Sequence, residues 1–409
     1  MARNPNSARQ HEAACAHLPG GNTRSVLFYE PFPLAMARGA GARLWDADDH
    51  EYTDLLGEFT AGVYGHSNPV IRAAIDEALD RGLNLSGHNL LEGRLAEMVS
   101  ARFASMRQLR FTNSGTEANL MAIAAAKAFT GRARVLVFKG GYHGGVLSFA
   151  GGGSPVNVPH DFVVGRYNDL PGTLALVEQH ARELAAILVE PMQGAGGCIP
   201  GQPAFLQALR SAASRTGALL IFDEVMTSRL APGGRQQLLG IAPDLTTLGK
   251  YIGGGMSFGA FGGRDDVMAL FDPRRPGHLP HAGTFNNNVL SMAAGIAGLS
   301  RVFTADAATT LNARGDALRE RLNATCRAHG ADLQFTGLGS LMNLHATAGP
   351  IGDCDDIPAD GQPLRDAVFF HLLEQGFYTA RRGFIALSLP LTDDDLDRFV
   401  HAIERFVAG

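Results

Sequence analysis

The middle of the chain alternates short apolar runs with longer stretches in which apolar residues recur at helical spacing. Between residues 108 and 290 the apolar runs include RVLVF, AILVEP and ALLIFDE, and the helical stretches include TEANLMAIAAAKAF and FLQALRSAASRTG. Short apolar strands that alternate with amphipathic helices are typical of a parallel sheet with helices on its faces. The pattern therefore predicts one large α/β domain with a mostly parallel sheet.

The two ends of the chain follow a different pattern. Residues 1–45 mix loops with an extended run, whereas residues 290–409 contain long amphipathic helices around short strands such as FIALSLP. No repeat period and no low-complexity linker interrupts the chain. We therefore expect residues 46–289 to form the large domain, and residues 1–45 and 290–409 to form a smaller α+β domain together.

Composition narrows the classes of partner. The chain has 409 residues, 45% of them hydrophobic, and a net charge of −5, which gives no basic excess for binding nucleic acid or anionic membranes. The N-terminal stretch does not resemble a signal peptide, and no run approaches the ~18 apolar residues of a membrane span. We expect a cytoplasmic protein that binds neither nucleic acid nor membranes.

Cysteine and histidine spacing predicts no metal. The four cysteines are far apart and lack C-x-x-C spacing, so neither a disulfide framework nor a zinc site is expected. His278 and His281 form an H-x-x-H pattern, but it lies in the proline-rich loop DPRRPGHLPH without a nearby carboxylate.

Lysine is scarce, which draws attention to Lys250. Of the 35 basic residues only Lys127, Lys139 and Lys250 are lysines. Lys127 lies within an apparent helix and Lys139 follows the strand RVLVF. Lys250 follows LTTLG, at the carboxyl end of a predicted strand, where open α/β sheets bind their ligands. An amine in apolar surroundings has a lowered pKa and is available for a Schiff base, although a surface lysine at a loop entrance fits the position equally well.

Asp223 and Glu224 end the apolar run ALLIFDE at the same edge of the predicted sheet. A buried carboxylate there needs a partner, because an isolated buried charge is strongly destabilising. The protonated ring nitrogen of a cofactor is one suitable partner, and an arginine or a helix cap is the alternative.

The segment RFTNSGTEAN places Ser114, Gly115 and Thr116 between a predicted strand and a predicted helix. Free amides, hydroxyl groups and the positive end of the helix dipole bind phosphate at such a junction. Ser114 and Glu117 also fit a capping box, which requires no ligand, and the two interpretations are compatible. The chain offers neither a Walker loop nor a convincing G-x-G-x-x-G dinucleotide loop.

Tyr142 stands between glycine pairs in FKGGYHGGVL. Glycines allow the backbone to approach a flat ligand, and an aromatic ring beside them can stack on it, although such a tyrosine can also be purely structural. An amine, a carboxylate for a ring nitrogen, a phosphate cradle and an aromatic platform together match the requirements of pyridoxal phosphate. The combination predicts this cofactor.

An ordered series of motifs resembles the class III pyridoxal-phosphate aminotransferases over almost the whole chain. The motifs are LPGGNTRSV, LWDADDHEYTDL, GHSNPVI, FTNSGTEAN, GYHG, VEPMQG, FDEVMTSR, TTLGKYIGGG and GTFNNN. The resemblance implies the aspartate-aminotransferase-like fold, also called fold type I: a large, mostly parallel sheet domain and a smaller α+β domain from both chain ends.

The resemblance also implies roles for individual residues. Lys250 would form the Schiff base and carry the proton during transamination, and Asp223 would keep the pyridine nitrogen protonated. Ser114, Gly115 and Thr116 would bind the phosphate. Further contacts with the cofactor would come from Tyr142, Glu190, Gln193, Val225 and Met226. Thr284 would reach the phosphate of the neighbouring subunit, which implies a homodimer with shared active sites.

Within class III the closest likeness is to aromatic β-amino acid aminotransferases, the β-phenylalanine group. NTRSVLFYEPFPL, EFTAGVYGHS, LSGHNLLEGRLA and RRGFIALSLPLTD resemble this group more than glutamate-1-semialdehyde aminomutases, whose N-S-P-V-R is replaced here by NTRSV. The resemblance points to Arg24 for the substrate carboxylate and to Arg382 for the second carboxylate of 2-oxoglutarate, with Arg381 as an alternative. Val26, Phe28, Tyr64 and Met256 would line an aryl pocket, although each could belong to the core.

These observations predict an aminotransferase that moves the amino group of a β-phenylalanine-like donor to 2-oxoglutarate, giving a β-keto acid and glutamate. An enzyme like glutamate-1-semialdehyde aminomutase is the alternative within the family. A catalytically inactive binding protein and a nicotinamide dehydrogenase are the alternatives outside it. The intact Lys250 and Asp223 argue against the first of these, and the missing glycine loop argues against the second.

Overall fold

The computed structural model describes residues 4–83 and 85–409. These residues form the following helices and strands. The helices are α1 (Pro5–Cys15), α2 (Pro69–Asp80), α3 (Leu90–Arg102), α4 (Gly115–Thr130), α5 (Leu170–Gln179), α6 (Pro203–Thr216), α7 (Gly234–Leu239), α8 (Asp265–Met268), α9 (Val289–Ala297), α10 (Ala305–Ala328), α11 (Gln362–Glu374) and α12 (Asp393–Ala408). The strands are β1 (Met36–Ala40), β2 (Arg43–Asp46), β3 (Glu51–Asp54), β4 (Gln108–Thr112), β5 (Arg134–Phe138), β6 (Asp161–Gly165), β7 (Leu184–Val189), β8 (Met192–Gln193), β9 (Ile199–Pro200), β10 (Leu219–Asp223), β11 (Leu245–Gly249), β12 (Gly259–Gly263), β13 (Gln334–Leu338), β14 (Leu341–His345), β15 (Phe377–Tyr378) and β16 (Phe384–Ala386).

Seven strands form the large sheet in the order β4-β12-β11-β10-β7-β5-β6. Strands β5, β6, β7, β10 and β11 pair in parallel, whereas β12 is antiparallel to both of its neighbours. Because β12 reverses the direction twice, β4 runs the same way as β11. The predicted α/β fold with a mostly parallel sheet is confirmed, and the glycine-rich β12 is its one antiparallel strand.

Apolar side chains leave the central strands on both faces, since successive residues of a strand point to opposite sides. In β10, Leu219 and Ile221 pack against α4 on one face, and Leu220 and Phe222 pack against α6 on the other. Both faces are therefore covered, which explains why these strands are continuous apolar runs and not alternating ones.

The smaller part of the molecule combines both chain ends. Strand β15 pairs in parallel with β3, with Phe377 opposite Thr53, in a sheet of order β1-β2-β3-β15. Arg43 of β2 donates a hydrogen bond of 2.6 Å to Asp395 of α12. The expected boundary at residue 45 falls inside β2, and the pairing of β3 with β15 extends this sheet to Asp54.

Candidate active site

Five strands of the large sheet end at the same edge. Each is followed by residues that the sequence analysis predicted to belong to the site. Because β4, β5, β7, β10 and β11 run in the same direction, their carboxyl ends meet, as they do where α/β proteins bind ligands. These ends carry, in chain order, residues 114–116, 142–143, 190–193, 223–226 and 250.

Lys250 follows β11 directly, in a left-handed backbone conformation with φ of 55°. Its Nζ donates a hydrogen bond of 2.7 Å to the carbonyl oxygen of Phe59. Part of the side chain remains accessible, but burial of the amine lowers the pKa of Lys250 to about 8, and the nearby Arg382 acts in the same direction. A neutral amine, the form that attacks an aldehyde, is therefore well populated near that pH.

Asp223 is held by two buried polar side chains. Its Oδ2 accepts a hydrogen bond of 2.8 Å from Nδ2 of Asn119 and lies 2.8 Å from Nδ1 of His143. Its Oδ1 accepts from the amide of Val225 at 3.0 Å. Asn119 in turn accepts from the hydroxyl of Thr247 at 2.7 Å. These contacts fix the carboxylate in one orientation, and no arginine is among its partners in the part of the chain that the structure describes.

Glu190 is a second buried carboxylate at this edge. Its Oε2 accepts from the amide of Tyr142 and its Oε1 from the amide of Gly194, both at 3.0 Å. Burial raises the pKa of Glu190 to about 7, with His143 lowering it and Asp223 adding to the rise. Glu190 thus ties the Tyr142 turn to the end of β7, close to Asp223.

The junction before α4 leaves amides free at the start of the helix. Ser114 is the N-cap, and its Oγ accepts from the amide of Glu117 at 3.2 Å. The carboxylate of Glu117 accepts from the amide of Asn113 at 2.6 Å and does not return to Ser114, so only half of the predicted capping box forms. Among the described residues, the amides of Gly115 and Thr116 have no acceptor, which suits them to hold a phosphate.

Val225 packs against the phosphate junction and the end of β11. A Cβ atom on Gly115 would lie 2.8 Å from Cγ2 of Val225, and one on Gly249 would lie 3.3 Å from its Cγ1. The glycine at residue 115 therefore lets Val225 lie directly beside the free amides. Val225, Gly115 and Gly249, the residue before Lys250, therefore pack together at the sheet edge.

Other residues that the sequence analysis predicted to contact the cofactor lie around the same edge. Gln193 donates from Nε2 to the carbonyl of Lys139 at 2.8 Å, and its buried Oε1 has no partner within the described chain. Met226 lies against Gly194, and Tyr142 keeps 46% of its surface exposed.

The chemistry of these groups fits pyridoxal phosphate. Free first-turn amides match a phosphate, the fixed Asp223 matches a protonated ring nitrogen, and the desolvated amine of Lys250 matches an aldehyde. The unpartnered Oε1 of Gln193 offers an acceptor for a hydroxyl group. The phosphate, the ring nitrogen, the aldehyde and the hydroxyl group of the cofactor therefore each have a residue of suitable chemistry at this edge.

Two guanidinium groups flank the ring of Phe59. The Cζ atom of Arg24 lies 5.5 Å from the ring centroid, and the Cζ atom of Arg382 lies 5.2 Å from it. Arg24 also pairs with Glu58. Because the carbonyl of Phe59 accepts the hydrogen bond from Lys250, one residue brings both guanidinium groups next to the amine.

The neighbouring arginines Arg381 and Arg382 differ in what they contact. Arg381 donates two hydrogen bonds, of 2.7 and 2.6 Å, to the carboxylate of Asp366. Arg382 has a buried Nε without a partner in the described part of the chain, and burial lowers its pKa. Arg382, not Arg381, is therefore free to bind a substrate carboxylate.

The four residues expected to line an aryl pocket differ in exposure. Val26 is 46% exposed, and Phe28 lies 6.1 Å from the ring of His11, both in the segment that carries Arg24. Met256 is half-buried against the core. Tyr64 lies within the core, where its hydroxyl donates to the carbonyl of Tyr251 at 2.9 Å.

Thr284 lies in an exposed segment next to the carboxyl end of β4, because Asn286 accepts a hydrogen bond of 3.1 Å from Nδ2 of Asn113. The segment is joined to residues before α3, because Asn89 donates to the carbonyl of Asn287 at 2.7 Å and Asn287 donates to that of Gly87 at 3.2 Å.

Sequence reasoning missed four residues of this site. His143 and Asn119 stand inside the motifs GYHG and FTNSGTEAN, so their positions beside marked residues were a usable signal. Glu58 and Phe59 begin the stretch EFTAGVYGHS, but no sequence pattern selects them, since their role depends on contacts with Arg24 and Lys250 that are distant in the sequence.

No helix within residues 4–83 and 85–409 combines the length and the apolarity that crossing a bilayer requires. Over those residues, no cluster of three or more His, Cys, Asp or Glu side chains is arranged to hold a metal ion.

The chain is similar in sequence to a known enzyme family. A family model described as aminotransferase class-III matches residues 28–163 and 168–407. A curated β-phenylalanine transaminase from Variovorax paradoxus is 62% identical over 406 residues, which cover 99% of this chain and 93% of that protein.

Solved structures agree with the family match. The crystal structure of a β-phenylalanine aminotransferase from Variovorax paradoxus superposes with a TM-score of 0.98 at 62% identity, covering 100% of this chain and 95% of that one. An ω-transaminase from Sphaerobacter thermophilus gives 0.94 at 37% identity, covering 100% and 99%. A transaminase with pyridoxal phosphate bound gives 0.91 at 32% identity, covering 99% and 98%.

Proposed function

The chain belongs to the class III aminotransferases and is a pyridoxal-phosphate-dependent transaminase of fold type I, and we propose that it transfers the amino group of an aromatic, β-phenylalanine-like β-amino acid to 2-oxoglutarate. The products are a β-keto acid and glutamate. The 62% identity with the Variovorax paradoxus enzyme supports this class of donor.

One geometric observation carries the proposal: the guanidinium groups of Arg24 and Arg382 lie on the ring of Phe59, whose carbonyl binds the amine of Lys250. A planar guanidinium binds a carboxylate through two parallel hydrogen bonds. Two such groups near one amine suit a dicarboxylate acceptor such as 2-oxoglutarate. A β-amino acid has one carboxylate, for which Arg24 is the binding group.

Asp223 and Lys250 at the sheet edge have different roles in the proposed reaction. When bound, pyridoxal phosphate supplies an aldehyde that bonds to amines and a ring that withdraws electrons from the adjacent C–H bond. Asp223, fixed by His143 and Asn119, holds the proton on the ring nitrogen. The amine of Lys250 would take the proton from the amine-bearing carbon, because its lowered pKa makes the neutral form available near pH 8. In the second half-reaction the same Nζ returns a proton to the carbon of the acceptor.

We also infer that two copies assemble as a homodimer with shared active sites. The exposed segment that holds Thr284 also holds Phe285, whose side chain is 55% exposed. Leu85 and Leu90, on the adjoining segment, are 51% and 92% exposed. Large exposed apolar side chains on two hydrogen-bonded segments are typical of an interface, and Phe285 adjoins the threonine that would reach the partner's phosphate.

A substrate screen tests the proposed reaction. The purified holoenzyme is incubated with α- and β-amino acids, with and without 2-oxoglutarate, and glutamate is measured. We expect glutamate from β-phenylalanine only when 2-oxoglutarate is present. A separate incubation with glutamate-1-semialdehyde and no acceptor tests the aminomutase alternative, which predicts its isomerisation. In the screen, a preference for α-amino acids would overturn the proposed donor class.

A further inference from the structure

Glu58 lies where a substrate carboxylate is expected to bind. It pairs with Arg24, the guanidinium that the proposed function assigns to the donor carboxylate. Its side chain is 55% exposed and that of Arg24 is 42% exposed, so the pair faces solvent and not the core. Glu58 also lines a cavity of about 470 Å³ together with Asn22, Leu27 and Tyr378.

The backbone around Glu58 is held in an unusual conformation. Gly57, Glu58, Phe59 and Thr60 have consecutive positive φ values of 54°, 47°, 48° and 85°. Three of the four are not glycine, and non-glycine residues adopt this region only when their surroundings impose it.

Contacts on both sides of this turn impose the conformation. Asp54 accepts hydrogen bonds from the amides of Leu56 and Gly57 at 2.9 and 3.0 Å. The fully buried Arg229 donates to the carbonyl of Thr60 at 3.5 Å. Lys250 donates to that of Phe59. The contacts with Asp54 and Arg229 do not involve the amine of Lys250, so they hold the backbone of this turn also when that amine is bonded to the cofactor.

The charges around Lys250 indicate that Glu58 offsets the positive charge of Arg24. Arg382 and Arg24 lower the pKa of the amine, whereas Asp223 and Glu58 raise it, so all four charges act at the same place. Asp223 is committed to the ring nitrogen. Glu58 is therefore the anion that balances Arg24 until a substrate carboxylate arrives.

We propose that Glu58 determines how strongly the site selects donors that carry a carboxylate, because it is the resident counter-ion of Arg24. A donor carboxylate must displace Glu58, which can turn into solvent. A donor without a carboxylate leaves the Arg24–Glu58 pair intact, so no guanidinium is stranded without an anion. The inference rests on the proposed role of Arg24 in donor binding.

The variant Glu58→Gln tests this with two donors that differ only in the carboxylate. They are β-phenylalanine and 1-phenylethylamine, each assayed with 2-oxoglutarate. We expect the KM for β-phenylalanine to fall roughly three- to fivefold, the size of a partly exposed ion pair, with little change in kcat. The KM for 1-phenylethylamine should rise, because Arg24 then has no anion.

Equilibrium binding of 3-phenylpropanoate to the holoenzyme gives a readout that requires no turnover. This molecule has the carboxylate and the aryl group but no amine, and it should bind more tightly to Glu58→Gln. Because no donor chemistry is involved, this measurement tests Glu58 even if the native enzyme prefers a donor other than β-phenylalanine. Failure of the proposed function would instead appear in the native enzyme, as a lack of glutamate from any β-amino acid.

Glu51→Gln is the matched control. Glu51 pairs with Arg43 at 3.3 Å and its side chain is 53% exposed, close to the value for Glu58, but it lies in β3 away from the amine. Both donors and 3-phenylpropanoate should behave as with the native enzyme. Weaker binding of 3-phenylpropanoate to Glu58→Gln, or an equal change for both donors, would overturn the proposal, since either would mean that Glu58 only positions Arg24.

Discussion

The Nδ1 atom of His143 lies 2.8 Å from Oδ2 of Asp223, and both side chains are buried at the carboxyl edge of the large sheet. Asn119 contacts the same oxygen at 2.8 Å. The carboxylate that is expected to face the cofactor ring is thus oriented by two buried neighbours. Hydrogen bonds within a buried polar network strengthen one another, so these contacts also stabilise the charged form of the carboxylate.

Replacing His143 with Ala should weaken retention of the cofactor. A hydrogen bond to a charged group contributes about 1.5–3 kcal/mol, so we expect the dissociation constant of pyridoxal phosphate to rise at least roughly tenfold. Dialysis followed by visible absorbance measures the loss. His160→Ala is a suitable control, since that ring packs on Phe162 at 5.8 Å, outside the site. Equal retention by the two variants would show that His143 does not support Asp223.

Lys250→Met should abolish transamination and stabilise the cofactor-free protein. Burial lowers the pKa of Lys250 from 10.5 to about 8. Below pH 8 both the folded and the unfolded chain carry the charge, and the folded chain bears the full desolvation penalty. Between pH 8 and 10.5 the folded chain releases its proton first, so its stability rises with pH.

The variant removes this penalty. At pH 7 the free energy of unfolding should therefore increase by something on the order of 2–3 kcal/mol, and the gain should vanish above about pH 10.5. Urea unfolding of both proteins at pH 7 and 10.5 measures the difference, with Lys127→Met accounting for the general effect of removing a lysine. A gain that is the same at both pH values would contradict the desolvation of this amine.

Arg382→Lys should impair binding of 2-oxoglutarate much more than Arg381→Lys does. A lysine cannot reproduce the two parallel hydrogen bonds of a guanidinium, so the KM for 2-oxoglutarate should rise roughly 10-fold or more in the first variant. In the second the main loss is the contact with Asp366, which affects stability and leaves this KM nearly unchanged. Steady-state kinetics decide between them, and a larger KM effect in Arg381→Lys would reverse the assignment.

Leu90→Asp should disrupt the proposed homodimer. Leu90 is 92% exposed in the single chain, and a charge there would have to be buried in an apolar interface. Light scattering should show monomers at concentrations where the native protein is dimeric, together with weaker cofactor retention because Thr284 is withdrawn. Leu238→Asp, at a side chain that is 58% exposed on α7, should leave the mass unchanged. A dimeric Leu90→Asp variant would place the interface elsewhere.

The large sheet was predictable because strand periodicity is a local property. Apolar runs such as ALLIFDE identify buried strands without any knowledge of their neighbours, and strand ends identify where Asp223 and Lys250 lie. The antiparallel direction of β12 was not predictable, since GAFGG carries no signal of strand direction. The capping box that Ser114 and Glu117 also fitted is half formed, because Glu117 accepts from the amide of Asn113 and not from that of Ser114.

Local pattern was therefore sufficient for the fold class, for the cofactor and for the two strand-end residues expected to act on it. Folding was needed to distinguish Arg382 from Arg381, to assign Tyr64 to the core and to bring Phe59 to Lys250, 191 residues away. The reason is physical: periodicity and strand ends are set by neighbouring residues, whereas the availability of a side chain depends on partners that only the folded chain brings into contact.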